Sequence, residues 1–411
     1  PAPTRRARTN RPNTTRKSST MKITGYRVEQ YEMKMDRPIG DANGVVGEDI
    51  AGGSVLWIET DEGITGVAPG GNPAVGRLFH LIEGEDPRSV VGLWMRLVDF
   101  VFKGGNEGEM NGAINAIDTA LWDLKAKIAD EPLWQTFGAR EGMTKAYASG
   151  IDLCLDDDAI FAFYRRMAEH GVDGGKLKVG LDMKTDLRRI GIMKEALSIA
   201  ADRPRLLIDS NEYWSAKEAI IRIQRIEEDF DITWAEEPAR RWDFDGLRQV
   251  SRNISAAVAS GENLNHIGDF YPLVSQQAVD VVNISAGHSG FTGCRQVANL
   301  CYAYELPVTM MNCQANYAAH LAAALPNHMI MEVVDPGREQ CINFNHTIED
   351  GFIHLSDEPG LGITIDEEAL AQLQANPPEP ERRRRNPFPR REGAGRFIVP
   401  PSKEEAGWLV G

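Results

Sequence analysis

The chain has 411 residues, 42% of them hydrophobic and 26% charged, which is the composition of an ordinary globular protein long enough for two domains. Its formal net charge of −15 argues against nucleic acid as a general partner, but not against a small anion held by local cations or a metal. No apolar run reaches the roughly 18 residues of a membrane span and no apolar h-region follows the basic start, so neither membrane nor secretory segment is read and a cytoplasmic location is expected.

Residues 1–20 carry Arg5, Arg6, Arg8, Arg11, Arg16 and Lys17 with no acid and almost no large apolar residue. Such a segment buries too little surface to order itself, and reads as a basic solvated tail. From 21 to 147 the pattern is that of an α+β capping domain. "KITGYRVEQYEM" and "SVLWIETDEGITGVAPGG" read as strands, with DEG as a turn. In "GAINAIDTALWDLKAKI", Ala113, Ala116, Ile117, Ala120, Leu121 and Leu124 recur at three- and four-residue steps and mark one apolar helix face. Two cap segments are candidates for contact with a ligand. "MDRPIGDANGVVGEDIAGG" is glycine-rich and polar, as a mobile lid would be, and "VFKGGNEGE" offers Lys103 and Glu107.

Between 148 and 345 short apolar runs alternate with helical stretches, which is the signature of repeated βα units. The runs are "AYASGI", "GGKLKVG", "RLLIDSN", "ITWAEEP", "AAVASGEN", "VDVVNIS", "PVTMMNC" and "MIMEVV", and eight of them predict a closed parallel barrel. Residues 346–376, including "EPGLGITID", are expected to return to the cap. Residues 377–411 form a Pro/Arg-rich C-terminal extension whose end, "FIVPPSKEEAGWLVG", has enough apolar content to dock, for instance on a neighbouring subunit; a homo-oligomer is expected.

In a parallel βα barrel the side chains at the C-terminal strand ends share one mouth. Asp209, Glu236 and Glu262 end three successive runs, one βα repeat apart. A lone carboxylate there would most simply be a helix cap, but three in phase repel one another unless a cation neutralises them, and hard oxygen ligands suit Mg²⁺. Glu237 and Asn211 are outlying candidates. Lys176 and Lys178 in "KLK" stand on the same side of the preceding strand, about 6–7 Å apart along the chain. Like-charge repulsion and burial would both lower the pKa of one lysine of the pair, so that it could accept a proton. The alternative is two solvated lysines, or a pair that binds an anion. A metal beside a base points to removal of the proton α to a carboxylate, with the developing enediolate charge stabilised by the cation.

In order and spacing, the helix "AINAIDTALWDLKAKI", the KxK pair, "IDSN", "WAEEP", "SGEN" and "PGLGITID" resemble the enolase superfamily, and within it the mandelate racemase/muconate lactonizing enzyme family, over about residues 21–375. The resemblance implies an α/β fold, a (β/α)7β modified TIM barrel with an α+β capping domain. It implies Asp209, Glu236 and Glu262 as Mg²⁺ ligands, Lys178 as the base and Lys176 as its pKa-lowering partner.

The chain departs from the pattern where the group usually adds a His–Asp dyad, for here the matching positions are Ser285 and Asn312. Glu332 falls where the group places an acid on the last strand. His288, three residues beyond Ser285, is a candidate replacement acid; otherwise it is a loop histidine bonded to backbone or water. Asn211, Asn312 and Glu332 are candidate substrate contacts, joined by Cys313 and Gln314. A nucleophilic Cys313 is not supported, because no adjacent base is identifiable, and His320 reads as structural. The other cysteines, Cys154, Cys294, Cys301 and Cys341, show no CxxC pairing and read as small core residues.

The expected activity is therefore Mg²⁺-dependent dehydration of a small hydroxylated carboxylate, an aldonic or aldaric sugar acid, to a 2-keto-3-deoxy acid. In a one-base route Lys178 takes the α-proton and returns it to the departing β-hydroxyl on the same face. The alternatives are a racemase or epimerase, a lactone cycloisomerase, or a barrel that binds metal and ligand without turnover.

Overall fold

A computed structural model describes residues 21–46, 50–311, 316–337, 339–378 and 390–396. The basic tail, most of the C-terminal extension, and Asn312, Cys313 and Gln314 lie outside the described residues.

The cap is built on β1 (Ile23–Lys34), with a small hairpin, β2 (Ile39–Asp41) and β3 (Gly44–Val46), then β4 (Ile50–Thr60) and β5 (Thr65–Pro69). The main cap sheet is antiparallel in the order β1-β4-β5. Helix Gly108–Ala129 lays the apolar face read from sequence against this sheet, with Ala113, Ile117, Ala120 and Leu124 fully buried. The contact is closest at Gly66 in β5, where a Cβ would sit 2.3 Å from the Ala120 carbonyl oxygen and 2.6 Å from Leu124 Cγ. Backbone cannot yield as a side chain can. Gly66→Ala is therefore expected to cost about 1–3 kcal/mol, measured as a lower denaturant midpoint at unchanged slope.

The barrel strands are β6 (Met143–Ser149), β7 (Gly174–Lys178), β8 (Arg205–Asp209), β9 (Ile232–Glu236), β10 (Ala257–Ser260), β11 (Val281–Ile284), β12 (Val308–Met310) and β13 (His328–Val333). All eight are parallel to their neighbours, and β13 pairs with β6 to close the ring. Helices follow each of the first seven strands, the seventh being only the short Ala319–Ala322. The chain after β13 goes directly to more strands. This is the (β/α)7β barrel with its α+β cap. Tyr147, Leu207, Trp234, Ala259, Val281 and Ile330 point inward and fill the interior as one packed cluster.

β6 begins at Met143, within the stretch that sequence assigned to the cap, because its first residues also serve a second partner. After β14 (Ile342–Phe344), the hairpin of β15 (His346–Glu349) and β16 (Phe352–Leu355) lays β16 antiparallel to β6, with Phe352 opposite Lys145. β17 (Ile363–Ile365) pairs with β14, and helix Glu367–Ala375 reaches β1, where Arg27 Nη2 meets Glu367 Oε1 at 2.6 Å. No helix among the described residues is long and apolar enough to cross a membrane.

Candidate active site

Strand alternation carries the inward face from the interior cluster to the mouth. Leu207 lies in that cluster and Asp209 ends the same strand; Trp234 leads in the same way to Glu236, and Ile330 to Glu332. Lys176 and Lys178 share the inward face of β7, and Lys178 is in register with Asp209 on β8, which is in register with Glu236 on β9. Glu262 follows β10 across Gly261, whose φ of 130° suits glycine.

Side-chain contacts join these groups. Lys178 Nζ donates to Asp209 Oδ2 at 2.5 Å. Lys176 Nζ donates to Glu236 Oε1 at 2.5 Å and lies 3.0 Å from Glu332 Oε1 and 3.6 Å from Asp209 Oδ2. The other oxygen of Glu236 accepts from Trp234 Nε1 at 3.1 Å. Lys176, Lys178, Asp209, Glu236 and Glu332 are all buried, so these charges meet with little water to screen them.

The electrostatics differ from the sequence expectation. Burial and the neighbouring ammonium of Lys176 do push the Lys178 amine down, but Asp209, helped by Glu262 and Glu236, outweighs both and holds it above its ordinary value. Lys176 is likewise held well above its ordinary value, for burial is outweighed by Glu236 and Glu332. Carboxylates, not the paired ammonium, dominate the site. Burial, with repulsion from Asp209, Glu262 and Glu332, pushes Glu236 well above the usual carboxylate range despite Lys176. Burial brings Glu262 up to about 7.

Among the described residues, no three carboxylate, imidazole or thiol side chains are gathered tightly enough to enclose an ion as they stand. Asp209 and Glu236 each turn an oxygen onto a lysine ammonium instead. The donor set nevertheless fits a hard dication. It is all carboxylate oxygen, and Asp209, Glu236, Glu262 and Glu332 outnumber the two lysines, so that burial drives Glu236 and Glu262 toward the neutral form. Buried carboxylate left over in this way favours a small multivalent cation.

A second arc of polar groups borders the first. Glu237 accepts from Asn263 Nδ2 at 2.8 Å and lies 3.5 Å from Asn211 Nδ2. Asn211 itself is left-handed, with φ 46°, and its N–H donates to Asp209 Oδ1 at 2.8 Å. His288 borders this arc: its Nδ1 is 3.3 Å from Asn265 Oδ1, and its backbone oxygen accepts from Asn111 Nδ2 of the cap at 2.8 Å. Burial, then Arg241, lowers the His288 pKa. Ser285 is buried at the start of helix Ala286–Tyr302. His320 is structural, accepting from the Trp134 N–H at Nδ1 and facing the Leu361 carbonyl with Nε2. Lys103 and Glu107 are exposed.

The β2–β3 hairpin closes over this mouth. Asn43 Nδ2 donates to the Asn211 carbonyl at 2.9 Å, and the C-terminal segment 390–396 holds the hairpin from outside. There Arg391 Nε donates to the Ala42 carbonyl at 2.8 Å, and Arg390 Nη2 to the Glu212 carbonyl at 2.9 Å. The hairpin brings in Asp41, which sequence reading did not single out. Burial raises its pKa while Lys178 opposes that rise, which places the two charges within each other's field. The signal available was the turn-forming "DANG" inside the lid segment.

Two family models match the chain: "Mandelate racemase / muconate lactonizing enzyme, N-terminal domain" over residues 26–138 and "Enolase C-terminal domain-like" over 160–369. The 3,6-anhydro-alpha-L-galactonate cycloisomerase of Streptomyces coelicolor is 32% identical over 296 residues, 71% of this chain and 80% of that protein. The L-talarate/galactarate dehydratase of Salmonella typhimurium is 31% identical over 300 residues, 71% of this chain and 72% of that protein. A racemase from Streptomyces coelicolor, solved with bound magnesium, superposes with a TM-score of 0.78 at 28% identity, covering 85% of this chain and 99% of that one.

Proposed function

The chain belongs to the mandelate racemase and muconate lactonizing enzyme family, and from that premise we propose that it is a Mg²⁺-dependent dehydratase of a small sugar acid. The observation that carries this reading is the contact of Lys178 with Asp209, inside a mouth where four acids, Asp209, Glu236, Glu262 and Glu332, stand against two lysines. Asp209, Glu236 and Glu262 would hold the Mg²⁺, which supplies positive charge against which a substrate carboxylate can gain electron density.

The chain's own residues do the rest. With the charge of Asp209 engaged by a cation, burial and Lys176 would favour the neutral amine of Lys178, the form that acts as a base. Its lone pair takes the α-proton of the sugar acid, and the electrons of the C–H bond move toward the carboxylate. The resulting ammonium returns that proton to the β-hydroxyl on the same face. The C–O bond breaks, water leaves, and the enol product becomes a 2-keto-3-deoxy acid. Lys176, pinned between Glu236 and Glu332, keeps positive charge on the floor of the mouth. Asn211, with Glu332 and the lid carboxyl of Asp41, orients the hydroxyl groups.

A one-base route is favoured because Ser285 and Asn312 stand where the group's second acid–base pair would be, and His288 Nδ1 is already engaged by Asn265. His288→Asn is therefore expected to leave dehydration within about threefold of the wild type. A loss on the order of 100-fold or more would transfer the acid role to His288.

The reaction class is tested by incubating the protein with Mg²⁺ in D₂O and a panel of aldonic and aldaric acids that includes galactarate and L-talarate. Loss of the α-proton with new keto acid carrying deuterium at C3 is the expected result. Exchange without keto acid would favour an epimerase or racemase, and isomerisation of a lactone or anhydro sugar acid without loss of water would favour a cycloisomerase. Binding with neither exchange nor product would leave only a ligand-binding barrel.

A further inference from the structure

The backbone of Lys178 is held by side chains where a neighbouring strand would ordinarily hold it. β6 stops at Ser149, and its ladder to β7 ends with Ser149 opposite Lys176. Two residues further on, the peptide groups of Lys178 that face this side have no strand to meet. Asp152 fills one place, its Oδ1 accepting the Lys178 N–H at 3.0 Å. Arg189 fills the other, its Nη1 donating to the Lys178 carbonyl at 3.1 Å. The two brace each other, since Arg189 Nη2 donates to the Asp152 carbonyl at 2.5 Å and lies 3.2 Å from Oδ1. Tyr164 Oη lies 2.5 Å from both Asp152 Oδ2 and the Lys176 carbonyl, and its one proton serves either. One turn before Arg189, Asp186 Oδ2 accepts the Gly180 N–H at 3.0 Å.

This assembly is buried: Asp152 and Tyr164 are 0% exposed and Arg189 2%. Ion pairs so placed carry a desolvation cost that an apolar filling would avoid, so fold stability alone is a poor reason for one. The local backbone is shaped to admit it. A Cβ on Gly150 would lie 2.3 Å from Asp152 Oδ2, so only glycine lets the carboxylate fold back. The same loop receives the lid, for the Gly40 N–H donates to the Ile151 carbonyl at 2.7 Å and the Leu153 N–H to the Gly40 carbonyl at 3.1 Å.

We propose that Asp152 and Arg189 are positioning residues, a clamp that fixes both backbone groups of Lys178 and sets its amine in register with the lid hairpin. This rests on the reading of Lys178 as the base. A base displaced by about 1 Å costs on the order of 100-fold in rate, and the clamp holds that one residue on the side where the sheet has run out.

The test compares Asp152→Ala, which removes the acceptor, with Asp152→Asn, which keeps one, and with Arg189→Lys as a milder second variant, all in the full chain. Hydrogen exchange of the peptide 174–180 needs no substrate. Asp152→Ala is expected to speed exchange there about tenfold or more while β9–β11 keep their protection, and Asp152→Asn to restore it. With a sugar acid that the protein turns over, Asp152→Ala is expected to lower kcat about 100-fold with KM within about threefold; Asp152→Asn should recover most of it. Unchanged protection and unchanged kcat in Asp152→Ala would overturn the clamp. So would protection lost equally across the barrel, which marks a purely structural role. If Asp152→Ala does not fold, Arg189→Lys decides on the same two readouts. Lys178→Ala separates the two readings: turnover retained there defeats the base assignment, whereas the exchange result on 174–180 still judges the clamp.

Discussion

Lys178→Ala is expected to abolish α-proton exchange and keto-acid release together, by about 10²–10⁴-fold or more, while divalent-metal binding survives. The amine is buried at the end of β7 with its Nζ 2.5 Å from Asp209, so no solvent-borne base reaches the same place without displacing structure. Alanine also removes the ammonium that competes for that Asp209 oxygen, and calorimetric titration with Mn²⁺ should therefore show affinity equal to or tighter than wild type. Proton NMR in D₂O reads the exchange directly. Exchange at the wild-type rate in this variant would remove Lys178 from the mechanism. Loss of both exchange and Mn²⁺ binding would mean instead that the lysine organises the carboxylates.

The second large effect is expected at Glu262. Asp209 and Glu236 each contact a lysine, but Glu262 makes no ion pair among the described residues, and burial drives its pKa up to about 7. It is the carboxylate whose charge most lacks a partner. Glu262→Gln should weaken Mn²⁺ or Mg²⁺ binding by more than the roughly 10–100-fold that loss of an outer partner costs, and turnover should fall with it. Without added metal the same change removes the cost of burying that charge, which outweighs the attraction of Lys176 and Lys178, so the melting temperature should hold or rise. Added Mg²⁺, which should raise the wild-type melting temperature by mass action, should raise that of the variant far less. Equal metal affinity in the two proteins would take Glu262 out of the ligand set.

The strand-end carboxylates were legible because two periods coincide in the sequence: the alternation within a strand, and the βα repeat that brings Asp209, Glu236 and Glu262 to successive strand ends. The helix Gly108–Ala129 was legible for a similar reason, since its apolar stripe is unbroken from Ala113 to Leu124. Partner choice was not. Whether Lys176 or Lys178 answers Asp209 depends on the third dimension, and Glu332 reaches Lys176 only because β13 closes on β6. The upward pull on Lys178 was hidden on the same ground: a pair two residues apart is visible in "KLK", but the acids that oppose it come from other strands. Asp152 and Arg189 carry no local signature. Their role depends on where β6 stops, and strand ends are poorly marked in sequence.

Closure of the ring also gives the chain an order of assembly. β6 and β13, first and last of the eight, must find each other across the whole intervening polypeptide, and contacts of such long loop length form late. Until Glu332 arrives with β13, Lys176 faces Glu236 and Asp209 without its third acid. A nascent barrel short of its final strand would thus expose both an unpaired edge on β6 and an unbalanced charge at its centre. During synthesis the charge balance of the mouth is therefore complete only once the ring has closed.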